Sequence, residues 1–270
     1  MSTMPYCQVE SQVRQARPCD THGIINLLMK SFSPPLLRYS IYRSPGAENY
    51  LQDCLTFSSP GWGFFVIKQD DEVVGTYIAQ ERSEGWFLNY IAVSPRAESH
   101  GLGGYLLKHF EQEGRYRGIK NVLLDVFEIN SRAIKWYYSK GYELIRRSFF
   151  IAISIHEATI LKGPKLVIDD KEWRSALEKE KRQGFSNIYG LCHQKRLNVG
   201  LIAGDTLRLI SWQGLSLKEV TGAIAKHFNK VRKELVILNL PYLPSGLPLI
   251  SQDAVLRLSK QFISCKNNPW

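Results

Sequence analysis

The first 155 residues alternate between two hydrophobic periods. Residues 22–32 place Ile24, Ile25, Leu27 and Leu28 at helical spacing, with Asp20 or Thr21 as N-cap, and Pro34-Pro35 ends the run. Residues 36–42 read as an aromatic and basic loop or short helix, and 48–57 as another short helix. Two apolar runs, 63–68 and 73–80, flank Gln69-Asp70-Asp71-Glu72, a hairpin signal. A third strand, 86–93, stops at Ser94-Pro95. Residues 102–117 return to the helical period through Leu102, Leu106, Leu107 and Phe110. The run 122–127 is a short apolar strand, 131–140 a helix closed by Gly141, and 143–154 a long strand or hairpin. A strand on either side of one long helix predicts a parallel crossover between 86–93 and 122–127. The fold class is α/β, a mixed sheet with helices.

Residues 155–165 read as a linker, which sets the expected division at 1–155 and 156–270. Beyond it the pattern predicts a charged helix at 170–182, strands at 187–192, 197–203 and 206–212, a helix at 217–231, a strand at 235–240 and a last helix at 254–263. That order repeats the one read from residue 48 to 140, so the second, smaller α/β half is expected to be a degenerate internal repeat of the first, an unrelated small α+β domain being the alternative.

Composition narrows the class. With 44% hydrophobic and 22% charged residues the chain can build a core, which excludes a largely disordered protein. No apolar run reaches the roughly 20 residues of a membrane span, and the start lacks a secretory pattern. The five cysteines are scattered without a C-x-x-C, so neither a zinc site nor a disulfide framework is expected, and the expected location is the cytoplasm. The net charge is +10. Residues 1–155 hold 17 basic and 15 acidic residues, and 156–270 hold 18 and 10, so the excess belongs to the C-terminal half. A basic face attracts anions, acidic partners or nucleic acid, or only keeps a helix solvated.

The candidate chemistry sits where residues 86–93 turn into the following helix. The turn reads Ser94-Pro95-Arg96-Ala97-Glu98-Ser99-His100-Gly101-Leu102-Gly103-Gly104. Glycines there let backbone N–H groups at the positive end of a helix dipole approach an anion. About thirty residues on stands Asn130-x-x-Ala133-x-x-x-Tyr137-x-x-x-Gly141-Tyr142. With these two patterns in order, residues 8–153 resemble the GNAT family of acetyl-CoA-dependent N-acyltransferases.

The resemblance implies a GNAT-like fold in which acetyl-CoA, as co-substrate, lies where two parallel strands splay apart. Its pyrophosphate would rest on the amides of Ser99, His100, Gly101, Leu102, Gly103 and Gly104. Its pantetheine arm would pair with Ile91 and Val93, and Asn130 and Ala133 would flank it. Tyr137 matches the tyrosine near the thioester sulfur. The sequence departs from the family at Glu98, where a basic residue or glutamine is usual, and at Ser99, where a glycine is usual.

Acyl transfer to an amine needs the neutral amine, an oxyanion donor such as the Val93 N–H, and a donor for the departing thiolate. Tyr137 is the candidate acid, its other role being that of a core aromatic. Asp125, Glu128 and Glu84 are candidate bases, with a water chain as the alternative. Asn130 also suits the N-cap of the helix at 131. Arg38 and Arg43, in the aromatic loop, would face the acceptor and favour one that carries a carboxylate or phosphate. The expected function is acetyl-CoA-dependent N-acetylation of a primary amine on a small molecule or peptide. A non-catalytic acyl-CoA-binding or interaction module docking an acidic partner is the alternative, and a nucleic-acid-associated protein a third reading. Acetyl and longer acyl groups, and monomer and homodimer, stay open.

Overall fold

A computed structural model describes residues 12–97 and 101–262. In chain order the first half holds β1 (Arg14–Gln15), α1 (Thr21–Ser31), α2 (Pro34–Leu37), α3 (Ala47–Thr56), β2 (Trp62–Gln69), β3 (Glu72–Arg82), β4 (Gly85–Val93), α4 (Leu102–Tyr116), β5 (Asn121–Phe127), α5 (Ser131–Ser139) and β6 (Glu143–Ser154). The second holds α6 (Ile155–Ala158), β7 (Leu166–Val167), α7 (Asp170–Gln183), β8 (Phe185–Cys192), β9 (Lys195–Ile202), β10 (Thr206–Trp212), α8 (Leu217–Phe228), β11 (Glu234–Leu240) and β12 (Leu249–Gln261).

All twelve strands form one mixed sheet, in the order β1-β2-β3-β4-β5-β12-β6-β11-β10-β9-β8-β7. The order has a hidden twofold: each strand of the first half corresponds to the strand six places later, and the series reads alike from both edges. The two parallel pairs, β4 with β5 and β10 with β11, are counterparts under this relation. The sixth strand of each half has crossed over: β12 lies between β5 and β6, and β6 lies between β12 and β11. The expected repeat of strand order is therefore present. α5 has no helical counterpart after β11, because the chain passes directly into β12.

The helix expected at 254–263 is instead this central strand. Leu256 and Leu258 enter the core that holds Trp86 and Phe110, while Val255 enters a separate cluster with Phe150 and Val236. Burial on both faces erases the alternation that marks a half-exposed strand, so the segment shows no clean period. Residues 155–165 are not a free linker either. Ile155, Ala158 and Leu161 are buried in the core of the second half, and Gly163 lies so close to the backbone of α8 that a Cβ would stand 2.4 Å from an Ala223 atom. β12 follows the expected division at residue 155 in sequence yet pairs with strands that precede it.

Charged pairs fasten β12 and the two halves. Arg257, 4% exposed, stands directly opposite Asp125 in the β12–β5 register. Its guanidinium bonds both Asp125 oxygens and donates from Nη1 to Glu84 at 3.0 Å. In the second half Arg232 is buried and bidentate to Glu180 at 2.8 and 2.6 Å. The C-terminal end of α7 also reaches across to α3. Arg182 donates to Asp53 at 2.5 Å, and a Cβ on Gly46 would collide with the backbone of Gln183 and Gly184. Among the described residues no helix is long and apolar enough to cross a membrane.

Arg257→Ala strands the partly buried Asp125 carboxylate, so it is expected to lower stability by about 3 kcal/mol at pH 7, whereas Glu84→Gln, at a half-exposed group, changes it by less than about 1 kcal/mol; denaturant unfolding measures both. Burial drives the phenols of Tyr77, Tyr137 and Tyr142 above their ordinary pKa of 10. The folded state holds these protons longer than the unfolded chain does. Their contribution is therefore whole below pH 10 and lost as pH rises beyond it. Unfolding midpoints followed with phenolate absorbance should be flat below that value and fall above it.

Candidate active site

β4 and β5 run parallel only from Trp86↔Val122 to Leu88↔Leu124. Past that point they part. A bulge at Asn89, between the Ile78↔Tyr90 and Ala79↔Leu88 pairs, helps turn β4 away. Residues 90–93 keep their ladder to β3 and leave their other backbone edge without a neighbouring strand. A cavity of about 450 Å³ opens there. Ile91, Val93, Gly103, Asn130, Ala133 and Tyr137, all singled out from the sequence, line it together.

The turn into α4 is shaped by Gly101, whose φ of 75° is left-handed and favours glycine. A Cβ on Gly101 or Gly104 would meet nothing within 4 Å among the described residues, and the N-cap residue Gly101 offers the first turn of α4 no side-chain cap. Leu102 anchors this turn by burying its side chain in the core beneath. Ser99 and His100, together with Glu98, lie outside the described residues. The counterpart turn in the second half is closed. Ser216 Oγ accepts from the Glu219 N–H at 3.2 Å, and the Glu219 carboxylate accepts from the Ser216 N–H at 2.8 Å. This capping box places a carboxylate where an incoming anion would have to sit.

Asn130 is the N-cap of α5, its Oδ1 accepting from the Ala133 N–H at 3.1 Å. Tyr137 is 6% exposed and packs against Trp136 and Tyr142. It is thus both a core aromatic and a cavity residue, and burial keeps its phenol protonated beyond the ordinary tyrosine range.

The carboxylates considered as bases sit elsewhere in the chemistry. Asp125 lines the cavity, but both its oxygens hold Arg257. Glu84, on the turn between β3 and β4, is bound to the same arginine. Both carboxylates expected as bases therefore already serve Arg257, Asp125 through two oxygens and Glu84 through one. Glu128 is also paired, with Arg147 at 2.6 Å. Arg38 and Arg43 do not line the cavity. Arg38 donates to Ser251 at 2.8 Å, and Arg43 to Thr206 at 2.7 Å, so both tie the aromatic loop to the second half.

Beside Asn89, the cavity walls hold residues that the sequence did not single out: Arg82 from the first half, and Arg208, Leu238 and Asn239 from β10 and β11 of the second. Tyr39, Phe127 and Phe150 form an aromatic corner with ring centroids 5.4 to 6.0 Å apart. The far wall is legible only in the sheet order, because four strands separate β4 from β10.

Residues 21–142 match the family model described as the acetyltransferase (GNAT) family. The [ribosomal protein bS18]-alanine N-acetyltransferase of Salmonella typhimurium is 34% identical over 94 residues, 34% of this chain and 64% of the relative. Its Escherichia coli counterpart is 31% identical over 99 residues, 36% of this chain and 67% of the relative. The chain thus spans about two thirds of the length of these curated relatives. Two solved structures share the fold across both halves. One is a tandem GNAT protein from the clavulanic acid biosynthesis pathway (TM-score 0.63, 11% identity, 93% of this chain and 98% of that one). The other is a GCN5-related N-acetyltransferase from Kribbella flavida (TM-score 0.53, 13% identity, 93% of this chain and 70% of that one). On the matched span, and on the splayed β4–β5 pair that it encloses, the chain belongs to the GNAT acetyltransferase family.

Proposed function

We propose that this chain transfers the acetyl group of acetyl-CoA to a primary amine, with one working site per chain, in the first half. The observation that carries the reading is the free edge of residues 90–93 beside the first turn of α4, whose N-cap residue Gly101 makes no side-chain cap. A parted strand offers amide partners to an extended arm, and the open helix end offers N–H groups and a positive dipole to phosphate. The space around Gly101 and Gly104 fits that use. Residues 91 and 93, Gly101 to Gly104, and Asn130 with Ala133 would hold the cofactor, with Ser99 and His100 completing the turn. Acetyl-CoA supplies an activated acyl thioester. The relatives named for alanine N-acetylation are consistent with an amine acceptor.

In the transfer an N–C bond forms, the thioester C–S bond breaks, and the proton lost by the amine ends on sulfur. The chain must favour the neutral amine, which at pH 7 is only about one part in 2,500 of a lysine-like group. Asp125 and Glu84 both hold Arg257, and in this reading the site selects the neutral amine or relays its proton through water. The Val93 N–H, on the cavity wall, is the candidate donor to the carbonyl oxygen. Tyr137 is the donor toward sulfur. Its phenol ionises above 10 while a free thiol ionises near 8.5, so complete proton transfer from it is uphill by about 2 kcal/mol or more. Hydrogen bonding to the developing thiolate is therefore its main contribution.

Calorimetric titration with acetyl-CoA is expected to give one site per chain, because the Ser216–Glu219 box blocks the second turn. Two equivalent sites, or none, would overturn the assignment, and binding without turnover of any amine would favour the non-catalytic module. Tyr137→Phe should lower kcat by about 10- to 100-fold and leave acetyl-CoA affinity within about twofold. With no carboxylate base, the rate at subsaturating amine should rise about tenfold per pH unit from pH 6 to 8, tracking the free amine. A profile already flat above pH 5 would restore a carboxylate to that role.

A further inference from the structure

Among the described residues the two buried arginines meet a carboxylate, but the partly buried Arg208 does not. Arg257 holds Asp125 and Arg232 holds Glu180. Arg208, on β10, lines the cavity. Its one hydrogen bond runs from Nη2 to the carbonyl oxygen of Tyr39, and its Nε is shut off from solvent with no partner. Among the described residues it has no ion pair. The charges that act on it are the Tyr90 phenol, which donates to Ser40 at 2.9 Å, and the guanidinium of Arg43, a second cation already bonded to Asp205 and Thr206. Burial accordingly disfavours its charged form. Arg82, the other arginine on the cavity wall, differs. It bonds Asn89 at 2.9 Å, lies over the Phe87 ring, and is within electrostatic reach of Asp125 and Glu84.

A guanidinium withdrawn from water, with donors unused and no counter-ion, is costly unless a ligand brings the anion. Its planar fork suits a carboxylate. We infer that Arg208 binds the carboxylate of the acceptor, so that the amine acetylated in the β4–β5 cleft belongs to a free amino acid and the second half supplies the specificity. This rests on the transferase reading, which provides the amine half of the substrate. The geometry explains why the C-terminal half is retained although its own helix turn is closed: β10 delivers to the cavity a cation that β4 and β5 do not carry.

The test uses the full chain, acetyl-CoA, the common amino acids and the carboxamide of each, with thiol release as readout. At least one amino acid should react with kcat/KM about 30-fold or more above its amide. Arg208→Gln should bring that ratio close to one without changing acetyl-CoA affinity by calorimetry, and Arg208→Lys should keep part of it. As a second readout, the N-acetylated form of the reacting amino acid should raise the Tm of the wild-type chain without acetyl-CoA, but not that of the R208Q variant. Equal rates for acid and amide overturn the inference. So does a preference that survives in R208Q, or a panel of amino acids and their N-acetyl forms in which none reacts or protects. The two readings fail separately. If acetyl-CoA does not bind while N-acetyl amino acids still protect through Arg208, the transferase reading falls. If acetyl-CoA binds and only uncharged amines react, Arg208 loses its role.

Discussion

The exchange of β12 and β6 is the constraint on which the rest of this molecule depends. A half of this size that ended at β5 would leave the edge of β5 unpaired, and an unpaired edge invites aggregation. Here each half lends its last strand to the seam, so β5 pairs with β12 and β11 with β6. The buried Arg257–Asp125 pair lies on this seam. It holds β12 against β5 and, by engaging Asp125 on both oxygens, settles the chemical character of the cleft floor. A single guanidinium thus joins the sheet seam to a carboxylate that lines the cavity.

The two halves share a strand order and differ at the helix turns that follow their corresponding strands. At the start of α4 a left-handed Gly101 and an open Gly104 leave the helix amides uncovered. At the start of α8 Ser216 and Glu219 satisfy them internally. A capping box is an ordinary means of stabilising a helix, worth a kcal/mol or so. In this position it is also a chemical exclusion, because the site cannot bond its own carboxylate and a phosphate at the same amides. The closed half still contributes, since the wall formed by Arg208, Leu238 and Asn239 belongs to it.

Much of the first half was legible from local pattern. The hairpin, the crossover and the helix behind the glycine turn follow from hydrophobic period and punctuation, and Ile91, Val93, Gly103, Asn130, Ala133 and Tyr137 meet at one cavity as the two sequence patterns implied. Readings that assumed free side chains did not carry over. Glu84 and Asp125 read as available carboxylates until Arg257, more than 130 residues later, is seen between them. Arg38 and Arg43 read as acceptor-facing until Ser251 and Thr206 are seen to accept their hydrogen bonds. β12 read as a helix because burial on both faces hid its period.

What the sequence determined by itself is therefore local: which segments form helices and strands, where the chain turns, and which turn leaves amides open, all set by interactions within a few residues. The tertiary structure decided what is long-range: the crossing of the last strands, the pairing of each charged group, and the composite cavity wall. Charge partners are chosen by distance in space, which the sheet sets and sequence separation does not. For that reason the glycine turn before α4 could be read directly from the chain, while the place of Arg208 on the cavity wall appears only in the folded molecule.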